Sequence, residues 1–307
     1  MPALQIRLGT RASLLAQWQA NWVSARLREL GVVVELIPIT TSGDQQQSGT
    51  GPLAGTGLFT KELQRELLAG RIDLAVHSLK DLPTDVVPGL GLAAVPARAP
   101  VCDVLIAGRW ASLDELPPGA VVGTGSLRRR AQLLHVRRDL QMRDIRGNVD
   151  TRLRKLRAGE FDAIVLAQAG LERLGLADQI TQVLPLDIAL PAVGQGALGI
   201  ESRTDDAAVR KALAALDDPA THAAATAERA MLAVLHGGCM APIAAWARID
   251  SAALVLTGRV LNPSGDRKIE ATRSASPNQA EQLGRQVAED LKAQGAVELI
   301  EEARTTP

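Results

Sequence analysis

Tyrosine is absent from this sequence and phenylalanine occurs only twice. Base-stacking platforms for nucleic acid are therefore scarce. Surplus charge is absent too, with Lys+Arg and Asp+Glu at 34 each. A general nucleic-acid binder needs an unbalanced basic face, so RNA and DNA are not expected partners. Cysteine is limited to Cys102 and Cys239, far apart in sequence, which implies no disulfide framework. No hydrophobic run approaches membrane-spanning length. Arg7 and Arg11 interrupt the first such run, so no opening segment resembles a signal peptide. The expectation is a cytoplasmic protein with no membrane partner, long enough at 307 residues for two or three domains.

The most informative stretch present is Val121–Gln132, VVGTGSLRRRAQ. A short apolar run ends in Gly-Thr-Gly-Ser, and a helix-like segment opening with Arg128, Arg129 and Arg130 follows. Gly123 and Gly125 allow a tight strand-to-helix turn. Thr124 or Ser126 can cap the helix through its hydroxyl. The unpartnered N–H groups of a first helical turn favour an anion, and the arginines add fixed cations beside them. An anionic small molecule could dock here, although a solvated helix start with surface arginines gives the same pattern.

Taken in order, Leu4–Leu8 alternates like a strand, Gly9–Ser13 is a turn, and Leu14–Leu30 is helical in pattern. Trp18, Trp22, Ala25 and Leu30 are read as its shared face. Gly31 stops the helix, and Val32–Ile39 is a β-branched strand. This β–α–β unit predicts a parallel sheet. Arg11 and Ser13 sit at the first strand-to-helix turn, where open α/β sheets collect ligands. Ser42–Gly57 is polar and reads as a loop, a candidate lid. Helix Phe59–Ala69 and strand Ile72–His77 lead into His-Ser-Leu-Lys-Asp-Leu-Pro, placing Lys80 and Asp81 at another strand end.

After a linker at Pro96–Pro100, a second α/β run begins at Asp103–Ala107. It carries arginine at successive strand-end turns: Arg128 and Arg129, then Arg146 with Arg152, then Arg173 beyond Gly170. Surface arginines scattered for solubility need not gather there. Leu190–Ile200, LPAVGQGALGI, reads as a segment crossing back between lobes. A helix from Pro219 then ends at His236-Gly-Gly-Cys, and the C-terminal third reads as strands followed by a helix, an α+β pattern. Cys102 is expected as a small buried hydrophobe, whereas glycines around Cys239 leave its sulfur open to covalent chemistry. Only His236 lies near Cys239, so a metal site is not expected.

These motifs resemble the porphobilinogen deaminase family of tetrapyrrole biosynthesis. The matching stretches are GTRAS at Gly9–Ser13, GLFTKEL at Gly57–Leu63, AVHSLKDLP at Ala75–Pro83 and VVGTGSLRRRAQL at Val121–Leu133. IRGNVDTRL at Ile145–Leu153, DAIVLAQAGLERLGL at Asp162–Leu176, PAVGQGALGIE at Pro191–Glu201 and the GGCMAPI ending at Ile243 complete the set. The chain departs from the family's pattern at Thr56, Gly125 and His236. The resemblance implies an α/β fold with two periplasmic-binding-protein-like lobes of mixed, mainly parallel sheets and a small C-terminal α+β domain. The expected division is 1–96 with 197–216, then 100–190, then 219–307.

It also implies a monomeric transferase that joins four porphobilinogen units with loss of ammonia, primed by a dipyrromethane cofactor in thioether linkage to Cys239. Asp81 is the implied catalytic residue. Lys80, Asp81, Ser126, Arg128, Arg129 and Gly170 are implied for the cofactor, and Arg11, Ser13, Arg146, Arg152 and Arg173 for substrate. The residue types agree with this, because each pyrrole carries two carboxylates and arginine pairs with carboxylate bidentately. A two-lobed carboxylate- or phosphate-binding protein without catalysis would share the arginine turns, but it would need neither a modified Cys239 nor Asp81.

Overall fold

The structure, a computed structural model, describes residues 4–40, 60–236 and 241–305. The expected loop Ser42–Gly57, with Thr56, and the cofactor cysteine Cys239 lie outside the described residues. Two compact units divide the chain: Met1–Arg98 with Ala197–His222, and Ala99–Gly196 with Ala223–Pro307.

In the first unit, β1 (Gln5–Thr10) buries Ile6 and Leu8 on alternate positions. The helix α1 (Leu14–Glu29) follows, then β2 (Val33–Pro38), α2 (Lys61–Leu68), β3 (Leu74–Ser78) and β4 (Leu90–Ala94). Later strand β10 (Leu198–Arg203) and helix α6 (Ala207–Leu213) belong to the same unit. The sheet order is β2-β1-β3-β10-β4. Strands β2, β1 and β3 run parallel, as the β–α–β pattern predicts, and β10 runs antiparallel to both β3 and β4.

The core face of α1 differs from the sequence reading. Ala20, Val23 and Leu27 are fully buried, while Trp18 and Trp22 are half-buried, Ala25 is exposed and Leu30 is 53% exposed. The smaller residues repeat at spacings of three and four and fit against β1 and β3; the indoles lie at the margin of that stripe.

In the second unit, β5 (Asp103–Ala107), β6 (Val121–Gly123), α3 (Leu127–Val136) and β7 (Gln141–Arg143) are followed by α4 (Val149–Arg157), β8 (Ala163–Ala167), α5 (Gln168–Arg173) and β9 (Gln182–Val183). Its order, β7-β6-β8-β5-β9, repeats the first sheet, with three parallel strands followed by two antiparallel joins. This unit also contains most of α7 (Pro219–Val234) and an antiparallel sheet of β11 (Ile243–Asp250), β12 (Ala253–Leu261) and β13 (Lys268–Ala275). Helices α8 (Ala280–Ala293) and α9 (Ala296–Thr305) cover that sheet. Met231, Leu254, Leu256, Val287, Leu291 and Leu299 form its dry core. Burial of such side chains contributes roughly 1.5–3 kcal/mol each.

Candidate active site

Parallel pairing aligns strand ends, and this places the functional side chains. In the first unit β1 and β3 are in register at Leu8–Leu74 and Gly9–Ala75, so the turns after both strands share one sheet edge. The turn after β1 carries Arg11, half-buried, and Ser13, whose hydroxyl accepts from Ala16 N–H and caps α1. The turn after β3 is a single 3-10 turn, Leu79–Asp81. Leu79 N–H donates to the Ala197 carbonyl and Leu82 N–H to the Leu79 carbonyl. Leu79 and Leu82 point inward, 1% and 7% exposed, so the turn presents Asp81 to solvent with Lys80 half-buried beside it. Gln19 on α1 donates to Ser78 Oγ at 2.7 Å, tying the helix to the start of this turn.

In the second unit the ends of β6, β7 and β8 lie side by side, through Gly123–Arg143 and Gly123–Ile164. Antiparallel β5 begins at the same edge, opposite the end of β8, with Asp103 paired to Ala167. Of the two candidate caps, Ser126 is the one used: its Oγ accepts from Arg129 N–H, while Thr124 Oγ1 accepts from Ser126 N–H. Gly125 lies close against the next turn: a Cβ there would be 3.0 Å from Asp144 Oδ1 and 3.1 Å from the Ile145 carbonyl, so a larger residue needs these neighbours to give by a few tenths of an ångström. The backbone of the turn after β6 therefore lies close against the turn after β7.

Arg128 and Arg129 are interior side chains, 4% and 7% exposed. Arg128 Nη1 donates to Asp103 Oδ2 at 2.7 Å and to the Leu190 carbonyl at 2.5 Å. Arg129 donates to Asp103 Oδ1 through Nε and Nη2, and to the Val165 carbonyl through Nη1. Gln195 Nε2 adds a fourth side-chain donor to Asp103 at 2.9 Å. Burial alone would raise the Asp103 carboxyl, but the two guanidiniums override it and hold it well below the usual carboxylate range. Two cations against one carboxylate leave this cluster with one net positive charge beside the N-terminus of α3. Asp103 and Gln195 are organising residues that the sequence reading missed. The available signal was an acidic residue opening the otherwise apolar strand DVLIA.

The turn after β7 holds Arg146, exposed, with Nε donating to Asp144 at 2.8 Å. Arg152 Nε donates to the Gly147 carbonyl at 2.8 Å, and Asn148 caps α4 by accepting from Thr151 N–H. Beyond β8, Gly170 is half-buried on α5, and Arg173 at its end donates to the Gly196 carbonyl at 2.7 Å. Burial lowers Arg173 to about 10, so a carboxylate brought to it would offset a desolvation cost. Cys102 is half-buried rather than fully enclosed, and burial pushes its thiol up.

In the second unit the arginine-bearing turns suit an anionic ligand rich in carboxylates; in the first, an exposed aspartate sits on a 3-10 turn. A family model described as the porphobilinogen deaminase dipyromethane cofactor binding domain matches residues 6–211, and one described as the porphobilinogen deaminase C-terminal domain matches residues 222–293. Porphobilinogen deaminase of Geobacter metallireducens is 48% identical over 305 residues, covering 98% of this chain and 96% of the relative. That of Geobacter sulfurreducens is 46% identical over 301 residues, covering 97% and 94%. Among solved structures, the methionine-binding protein MetQ aligns with a TM-score of 0.46 at 16% identity, covering 69% of this chain and 89% of that one.

Proposed function

The chain belongs to the porphobilinogen deaminase family, and from that premise we propose which of its residues carry out the reaction. It is a transferase of porphyrin and heme biosynthesis that assembles porphobilinogen into the linear tetrapyrrole hydroxymethylbilane, and it contains the dipyrromethane-binding domain. When bound, the dipyrromethane supplies the primer pyrrole to which substrate units are added.

The observation that supports the site assignment is the buried Arg128–Arg129–Asp103 cluster with its surplus positive charge, flanked by the turns bearing Arg146 and Arg152. A donor set of this kind fits a group whose pyrroles bear carboxylates. In the proposal Cys239 anchors the cofactor through sulfur. Lys80, Asp81, Ser126, Arg128, Arg129 and Gly170 bind it. Arg11, Ser13, Arg146, Arg152 and Arg173 take the carboxylates of porphobilinogen. Each charge-assisted bond is worth roughly 1.5–3 kcal/mol, so several together hold a chain that must also advance.

Asp81 is assigned to the reacting centre. Loss of ammonia from porphobilinogen leaves a cationic azafulvene. A carboxylate about 4 Å away stabilises that cation by roughly 4 kcal/mol at an effective dielectric of 20, close to a thousandfold in rate. Its Oδ atoms can also take the proton released from the attacked ring carbon. Because Asp81 is exposed, Asp81→Ala should leave thermal stability unchanged while lowering kcat roughly a thousandfold. A near-normal rate would remove Asp81 from the mechanism.

The proposal extends to the three-domain division at 1–96 with 197–216, 100–190 and 219–307. It also extends to a cytoplasmic monomer engaging neither nucleic acid nor membrane. The balanced charge, 34 against 34, supports the exclusion of nucleic acid. No described helix is long and apolar enough to cross a membrane.

A further inference from the structure

A third buried arginine in the second unit lies outside the assigned set. Arg259, on β12, is 4% exposed. Its Nε donates to Glu270 Oε2 on the neighbouring strand at 2.6 Å. Its Nη1 donates to the Asp187 carbonyl and to Gln132 Oε1, both at 2.9 Å. Gln132, on α3, is 1% exposed and brackets the backbone of one residue: Oε1 accepts Leu190 N–H at 2.9 Å, and Nε2 donates to the Leu190 carbonyl at 3.0 Å. That carbonyl is the second acceptor of Arg128 Nη1. A hydrogen-bonded path therefore runs from the C-terminal sheet to the guanidinium assigned to carboxylate binding.

With Asp103 as its only acceptor, the Arg128 guanidinium could swivel about the Nη1–Oδ2 axis. A second acceptor at the same nitrogen fixes its plane, provided the Leu190 carbonyl cannot turn away. Gln132 removes that freedom by holding both the N–H and the carbonyl of Leu190, on the two peptide groups that flank its Cα, and Arg259 fixes the Gln132 amide by donating to its oxygen. We propose that Gln132 and Arg259 are positioning residues for Arg128, and so set how firmly this enzyme grips the carboxylates of the pyrrole chain. This rests on the assignment of Arg128 made above. It adds that the C-terminal sheet tunes the grip through side chains buried in the protein interior.

The test is a double-mutant cycle on holoenzyme, with KM measured, kcat expressed per cofactor-bearing molecule and the holo fraction read from intact mass. Gln132→Met and Arg259→Lys should each lower the holo fraction; because the cofactor that Arg128 holds must present its free ring to porphobilinogen, each should also raise KM for porphobilinogen roughly tenfold with little change in kcat. In an Arg128→Lys background, Gln132→Met should add less than about a twofold further change, because the two act on one group. Should Gln132→Met not fold, Gln132→Glu keeps the volume and both acceptances while losing the donation to Leu190. It should give the same KM rise and the same dependence on Arg128. A wild-type KM in the Gln132 variants beside a raised KM in Arg128→Lys would overturn the positioning role alone. So would effects that multiply independently. A wild-type KM and holo fraction in Arg128→Lys would overturn the assignment of Arg128, and this inference with it.

Discussion

Asp73 and Asp81 sit before and after the same strand, and their surroundings divide structure from chemistry. Asp73 accepts from Arg7 through backbone N–H, Nε and Nη2, and from Arg203 Nη2 at 3.0 Å. Burial pushes its carboxyl up, but the bonds from Arg7 and Arg203 win and bring it down to about 2. The unfolded chain, with an ordinary aspartate near 4, takes up this proton first as pH falls. The contribution to stability is therefore fully present above about pH 4 and is lost towards pH 2, and it amounts to about 2 kcal/mol. Asp73→Asn should lose about that much in urea unfolding at pH 7, with the gap to wild type closing below pH 4. A gap independent of pH would show that the ion pairs do not carry it.

At the scale of elements, the turn Arg146-Gly147-Asn148 shows how closely backbone and site are linked. Gly147 has φ of 110°, and a Cβ there would fall 2.6 Å from Thr151 Cγ2. Its carbonyl also holds Arg152 Nε, and Arg146 precedes it. Gly147→Ala should cost roughly 1–3 kcal/mol in stability and raise KM for porphobilinogen, because the turn that spaces the two arginines must shift. Unchanged denaturation and KM would mean the turn relaxes freely.

Most elements could be read from the chain because their signals are local. Asp103–Ala107 is a strand with the bounds expected, and Ser126, one of the two expected caps, caps α3 through its hydroxyl. The readings that failed depended on distant partners. Glycines masked the strand Leu198–Arg203, which is held by β3 and β4 on either side. The indoles of α1 outweighed, in the pattern, the smaller residues that form its core face. Arginine at strand ends was visible, but nothing local to Arg128 and Arg129 announces that Asp103, some 25 residues earlier, draws both inside.

For the whole molecule, a net charge of zero coexists with basic strand-end turns: Asp103 and Asp144 pair with arginines at the turns themselves, and further acids pair away from them. Asp73 pairs with Arg7 and Arg203 away from those turns, Asp290 with Arg273, and Glu270 with Arg259. The same strand order in two sheets gives each unit an edge on which such turns gather. The central claim is that these residues serve a polycarboxylate tethered at Cys239. Intact-protein mass spectrometry with peptide mapping tests it most directly. A covalent dipyrrole confined to the peptide containing Cys239, and lost together with activity in Cys239→Ser, is the expected result. A fully active protein of unmodified mass, or a dipyrrole on the Cys102 peptide instead, would contradict the account.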